Sequence, residues 1–548
     1  MPSLLWTAAT ALAFFAGPAV APENDSIRRD ELRADLMFLA GDAFRGRLTA
    51  TRENDLATEW VAARFQRLGL TPVGTGGTYF HQYNLVVSER VEPGSLETVD
   101  PVLTRKFEPG ADFYPLRESA SGSVRAAVEF AGFGIVAPEH NRDDYRGLDV
   151  HRKVVLVLDH EPGEFDPGSP FDGVVRSEYS DPARKALAAQ ANGAVALLIV
   201  ADAHNHPGPE NLAAAAAGYW PASPPRLERY SIQAKLEPVT IPVVQISRAV
   251  ARTLLEGSEI SLEKLGEAAE KPGDHEFRSK LKTGQVKLSA HVRRKLVPDR
   301  SPVAAIEGSD PKLKDEWVVV SSHHDHDGAD GSTILNGADD NGSGTVGLLE
   351  IAEAYALAAR NGRRPKRSVL FASFNSEERG LLGSWAFVEG PPARVKVAKV
   401  VAALNMDMVG RDEEVPATGG PRFRGLEPQT AESNRDAFTL LGSSRSDDLT
   451  AAIKASNTTG GYSLKIKTGT DNSISNLIRR SDHWPFLQHG VPGVWFHTGL
   501  HPDYHTAGDR PEKIRYDKME RIVRLVHQAS WDLANAEGRP KLNATPAK

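Results

Sequence analysis

Carboxylates and imidazoles gather at five places in the second half of this 548-residue sequence. The run His323-His324-Asp325-His326 follows an apolar stretch, Trp317 to Ser321. Glu377-Glu378 follows Ser368 to Phe374, and Asp407 follows Val400 to Asn405. Asp339-Asp340 sits in a glycine-flanked loop ahead of a helical pattern, and Tyr504-His505 comes after the stretch Val491 to Phe496. Each cluster alone reads as solvated surface. Their joint placement at the ends of apolar runs says more, because open α/β sheets build sites outside the carboxyl ends of their strands. Carboxylates brought together repel and raise each other's pKa unless cations neutralise them. A site for two cations is the economical reading.

The composition narrows the chemistry. The sequence has no cysteine, which removes disulfides, thiol catalysis and thiolate metal sites. Metal ligands must then be His, Asp and Glu, a donor set suited to zinc and harder ions. The formal charge is −7, with no long basic run, so nucleic acid is not an expected partner.

The elements that must carry these residues are legible as patterns. The four apolar stretches are near-continuous, as in strands buried on both faces of a largely parallel sheet. Between the first two, Leu348, Ile351 and Tyr355 form a helical stripe that ends near Gly362. The alternation predicts an α/β three-layer sandwich around a mixed, mostly parallel sheet. Ile27 to Gly41, and then Leu56, Trp60, Ala63 and Phe65, predict two helices upstream, followed by a strand over Tyr79 to Val87.

The middle of the chain changes character. Val128 to Ile135, Val154 to Leu158, Ala196 to Val200 and Ile241 to Ile246 read as short strands, with a helix over Ala183 to Asn192. This predicts a smaller α/β domain inserted at 121–285, between catalytic parts at 26–120 and 286–538, with a tail at 539–548. Ser119 to Gly122 and Glu270 to Lys280 are the expected linkers. His204 and His206, in a Gly/Pro loop, read as surface residues rather than metal ligands. At the N-terminus, Leu4 to Phe15 is an apolar run followed by Ala19-Val20-Ala21, the pattern of a cleaved export signal at 1–21. The run is short for a membrane anchor, so the expected location is secreted or periplasmic, with no membrane association after cleavage.

The stretches SSHHDHDG, NGADDNGSG, FASFNSEERGLLGS, LNMDMVG and DYHTAGD, in that order, resemble the co-catalytic, M28-type di-zinc exopeptidases. The resemblance runs from about Asp30 to the C-terminus. EFAGFGI, DDYRGLDVHRKVVLVLD and NGAVALLIV look like a protease-associated domain, commonly inserted ahead of the histidine motif in that family. The resemblance implies two Zn2+ ions. His323 and Asp407 would hold one, His505 and Glu378 the other, and Asp340 would bridge them. Glu377 would be the general base, with Asp325 behind His323 and Tyr504 donating to the oxyanion. It also implies a cis peptide at Asp340-Asn341. The Ser481-Asp482-His483 run implies a pocket wall or structural hydrogen bonds, since no nucleophile elbow accompanies it. The implied activity is hydrolysis of peptide or protein substrates, releasing N-terminal residues. The alternatives are a glutamate-carboxypeptidase-like carboxypeptidase or dipeptidase and, further off, a glutaminyl cyclase or a receptor-like protein.

Overall fold

The computed structural model describes residues 20–99, 103–271 and 276–544. The expected export segment lies outside them apart from Val20 and Ala21. Ala21 is buried, and its N–H donates to Gln528 Oε1 at 2.7 Å. Among the described residues no helix is long and apolar enough to cross a membrane.

The chain opens with two helices, α1 (Arg29–Leu39) and α2 (Arg52–Arg67). Thr51 caps α2, its side chain accepting from the Asn54 N–H. A 20-residue strand follows, β1 (Phe80–Val99). The middle region supplies β2 (Phe113–Pro115), β3 (Gly122–Phe130), β4 (Val154–Leu158), α3 (Pro182–Ala191), β5 (Ala196–Val200) and β6 (Val243–Ile246). They form one sheet in the order β3-β4-β5-β6-β2, parallel but for β2 against β6. Val154, Leu156 and Leu158 pack on one side of it and Val155 and Val157 on the other, each into its own apolar cluster. The tripeptide Phe113–Pro115 thus pairs with the middle sheet, although the sequence reading placed it in the first catalytic part.

The chain returns through a 22-residue strand, β7 (Gln285–Ile306), which pairs antiparallel with β1 from Gln285↔Val99 down to Pro302↔Phe80. At one end β7 also pairs with β3, and at the other with the catalytic sheet. Two long strands therefore run as a ribbon from one sheet into the other. Alternating polar and apolar positions along β7 suit a ribbon that is half exposed over much of its length.

The C-terminal region continues with β8 (Trp317–His323), α4 (Gly344–Arg360), β9 (Ser368–Phe374), α5 (Leu382–Glu389), β10 (Val400–Met406), β11 (Ala437–Leu441), α6 (Asp447–Thr459), β12 (Lys465–Lys467), α7 (His483–Gln488), β13 (Gly493–His497) and α8 (Tyr516–Asn535). The sheet order is β12-β11-β13-β10-β8-β9-β7. The central pairs β9-β8-β10-β13 are all parallel, and the sheet is mixed only toward its edges. Val318, Val320 and Phe371 face Leu36, Phe65, Leu348, Ile351 and Ile522 from α1, α2, α4 and α8. Val319, Leu370 and Phe374 face Trp385, Phe387, Trp484 and Phe486 from α5 and α7. Helices cover both faces, which is why the strands read as unbroken apolar runs.

Candidate metal centre

All five clusters come to the carboxyl ends of the central parallel strands. His323 is the last residue of β8. Glu377 and Glu378 follow β9, Asp407 follows β10, and His505 lies in the loop after β13. Asp340 sits in the irregular turn Ala338–Ser343 that leads into α4.

That turn is strapped to its neighbours by hydrogen bonds. Asp509 accepts from the Asp339 and Asp340 amides at 2.9–3.1 Å. Asn341 donates to the Met406 carbonyl at 2.9 Å and accepts from the Gly344 amide at 2.9 Å. Asp339 Oδ1 accepts from the Gly410 amide at 2.6 Å. The Asp340-Asn341 peptide is cis. Arg47, fully buried, donates to the carbonyls of Leu39, His324, Asn336 and Gly337 at 2.7–3.0 Å. One guanidinium thus fixes the histidine strand end and the aspartate turn together. Burial, partly offset by nearby carboxylates, pulls its pKa down to about 10.

The donor atoms face two points. His323 Nε2 lies 3.4 Å from Asp340 Oδ1 and 3.5 Å from Asp407 Oδ1. His505 Nε2 lies 3.0 Å from Asp340 Oδ2 and 3.4 Å from Glu378 Oε2. The two oxygens of Asp340 thus serve the two groups separately. Most of these gaps are long for hydrogen bonds. They match the edges of a tetrahedron with metal–ligand bonds of about 2.0–2.1 Å, which are about 3.3–3.4 Å. His323 Nε2, His505 Nε2 and Asp407 Oδ1 are buried with no hydrogen-bond partner among the described residues. Buried polar atoms are normally satisfied. Three orphans aimed at shared points, on a His/carboxylate donor set, fit a pair of divalent ions of the zinc class.

The charges agree with that fit. Burial raises the Glu377 pKa, and Glu378 and Asp407 push it further, well above the usual carboxylate range. Burial pulls His323 down, but Glu377 and Asp407 more than reverse this and hold it well above an ordinary histidine. Burial pushes Asp340 up, while hydrogen bonding to His323 and His505 takes it well below the usual range. Each group leans on the others, as expected where cation charge is needed.

The supporting residues differ in part from expectation. Asp325 does not take a ring N–H from His323: the Nδ1 to Oδ1 distance is 3.7 Å, and Nδ1 faces the Asp325 carbonyl oxygen at 3.3 Å. Its carboxylate instead accepts from the Glu377 and Glu378 amides at 3.0 and 3.2 Å, and so positions the glutamate pair. The carboxylate behind a metal-facing histidine is Asp327, 2.8 Å from His505 Nδ1. His326 adds a further imidazole, its Nδ1 2.7 Å from Glu378 Oε1, in the group formed by Asp340, Glu378 and His505. Ser481 donates to Asp407 Oδ2 at 2.6 Å rather than to His483, whose two ring nitrogens have no partner among the described residues. The Ser-Asp-His run is therefore a positioning device and not a triad. Tyr504 lies beside His505, ring centroids 4.0 Å apart, and its hydroxyl accepts from Arg480 at 2.8 Å. Arg47, His326 and Asp327 were missed in sequence. A histidine and an aspartate inside the first motif were the available signal.

Residues 302–530 match the profile of peptidase family M28. Among curated relatives, "Probable glutamate carboxypeptidase AMP1" of Arabidopsis thaliana is 30% identical over 214 residues, 38% of this chain and 26% of that protein. "Probable zinc metalloprotease" of Pyricularia oryzae is 28% identical over 261 residues, 43% of this chain and 49% of that protein. The chain thus spans between a quarter and a half of the length of these relatives. Among solved structures, an aminopeptidase from Aneurinibacillus sp. strain AM-1 superposes with a TM-score of 0.45 at 17% identity, covering 95% of this chain and 96% of that one. Beside these candidate ligands lies a cavity of about 220 Å³. Leu381, Met408, Trp495 and Leu500 supply its apolar wall, and Arg479, Arg480 and Tyr504 its polar one.

Proposed function

We propose that the chain is a secreted or periplasmic di-zinc exopeptidase, with a protease-associated domain as its insert, that releases N-terminal residues from peptides. The observation that carries this reading is Asp340, whose two oxygens face two separate imidazole–carboxylate groups at coordination-edge distances. The cavity supports the exo direction. At about 220 Å³ it falls below the ~300–1,000 Å³ of pockets that enclose drug-sized ligands, a size for one terminal side chain.

His323, Asp407 and Asp340 would hold one ion, and His505, Glu378 and Asp340 the other. Two zinc ions held by these residues would supply Lewis acidity at the scissile carbonyl and a water whose pKa is brought toward neutrality. Glu377 is the base beside them, a buried carboxylate placed to take a proton from that water and return it to the leaving amine. Tyr504 accepts from Arg480, which leaves its own O–H free to donate toward an oxyanion in the pocket. Amino-acid p-nitroanilides test the proposal. Turnover should vanish with a chelator and return with zinc.

Arg479 and Arg480 favour a second reading. Guanidinium groups in a pocket wall recognise a carboxylate, which would make the enzyme a carboxypeptidase. Cleavage confined to N-blocked peptides with a free C-terminus would select it.

A further inference from the structure

The insert holds a second cluster of metal-ligating atoms, far along the sequence from the M28 motifs. His160 follows β4 and His206 follows β5, adjacent parallel strands of the insert's sheet. His160 Nδ1 is 3.0 Å from Glu164 Oε2 and 3.0 Å from His206 Nε2, and His206 Nε2 is 2.8 Å from the same Glu164 oxygen. We propose that His160, Glu164 and His206 form a third metal site, one that takes a divalent transition-metal ion such as zinc.

Proton counting carries the argument. A hydrogen bond needs one donor and one acceptor on each edge of this triangle. If both ring nitrogens carry protons, two N–H groups meet head-on at 3.0 Å. If only one does, the lone pair of the other faces the carboxylate oxygen at 2.8 or 3.0 Å. Every arrangement leaves one edge with like groups opposed. A cation seated over the triangle satisfies all three edges at once. The shorter spacing than at the M28 centre suits a six-coordinate ion, since bonds of about 2.0–2.1 Å give the face of an octahedron edges of about 2.9 Å. Two imidazoles and one carboxylate on one face, with the remaining positions open, suit zinc and its neighbours in the first transition row.

The surroundings hold the donors in place. Lys185, fully buried, donates to the His160 carbonyl at 2.6 Å. Arg248 donates to the His206 carbonyl at 2.5 Å. Arg176 lies 3.3 Å from the other oxygen of Glu164, leaving Oε2 for the triangle. Glu270 accepts from the Gly163 amide at 2.7 Å and fixes the turn between His160 and Glu164.

The site stands at the base of a segment that reaches the M28 domain. Pro167 accepts from Asn472 at 3.1 Å, Asp172 pairs with Arg445 at 2.6 Å, and Glu178 accepts from Arg479 of the substrate cavity at 3.3 Å. A metal bound at His160, Glu164 and His206 clamps that segment and, through it, the cavity wall.

The test is zinc content of the purified full chain at buffered free zinc, compared with H206A and E164Q. Each variant should carry one zinc fewer per chain than the parent, whatever number the parent binds. The readout is thereby separate from the di-zinc reading of the M28 domain. Anomalous scattering at the zinc edge from crystals of the unaltered chain provides a measurement that does not depend on either variant folding. A peak bounded by His160, Glu164 and His206 is expected. Equal zinc content in all three proteins, or no peak at the triangle, overturns the proposal.

Discussion

Asp327→Asn would remove one charge from behind one half of the metal centre and leave the other half alone. Asp327 Oδ2 lies 2.8 Å from His505 Nδ1, and Arg379 donates to its other oxygen. Burial pushes its pKa up, but hydrogen bonding to His505 and the nearby charges of His326, His505 and Arg379 hold it well below the usual range. Its neighbours thus favour the ionised form. Asparagine keeps the shape and an acceptor but not the charge. A hydrogen bond to a charged group contributes roughly 1.5–3 kcal/mol against about 0.5–1.5 kcal/mol for a neutral one. The difference, about 1–1.5 kcal/mol, is roughly tenfold in zinc affinity. Carboxylates behind a ligating histidine typically matter by about 10- to 100-fold, so tenfold sits at the lower bound. Competition against a chromophoric chelator resolves the stepwise constants. One constant should weaken about tenfold, the other should stay, and the rate at saturating zinc should change little. Unchanged constants, or two constants that move together, would refute the assignment of Asp327 to the His505 ion alone.

Other outcomes follow from the same geometry. Glu377→Gln should lower kcat by about 10²–10⁴ with zinc content intact. Loss of zinc in that variant would make Glu377 a ligand, since its Oε2 stands 3.6 Å from His323 Nε2. Arg480→Ala should weaken C-terminal substrates selectively if the carboxypeptidase reading holds, and should lower kcat through Tyr504 on every substrate if it does not. Glu350, with its pKa raised to about 8 by burial and by Glu353 and Asp35, gives a stability prediction. Between its ordinary value near 4.5 and pH 8 the unfolded chain has lost this proton and the folded chain keeps it, so stability falls as pH rises. Glu350→Gln should raise Tm at pH 8 by several degrees and leave it unchanged at pH 4, as thermal melts would show.

The central strands were readable because both faces are covered, and Val318 to Val320 or Val369 to Phe371 cannot be anything but buried. The ligand candidates were readable for a related reason: several charged clusters, each placed just after such a run, point together to one end of the sheet. The partners behind them were not. Asp327 meets His505 across 178 residues, and Arg47 reaches Gly337 across 290. No local pattern encodes either contact. β7 went unread as a strand, because a half-exposed ribbon carries no continuous hydrophobic signal. His206 was read as a loop residue, since its partners His160 and Glu164 come from the end of a different strand.

The paired strands β1 and β7 also make the middle region removable. Glu89 stands directly across from Arg293, with ladder pairs from Ser88↔Arg294 to Pro302↔Phe80 below them. A hairpin turn joining those two positions would excise some two hundred residues while every cut end already had its neighbour. The excision would also take away Ser231 and Ile232, which pair with Val86 and Leu85 on the ribbon. The shortened chain would show what the M28 fold does once the contacts at Arg445, Asn472 and Arg479 are gone.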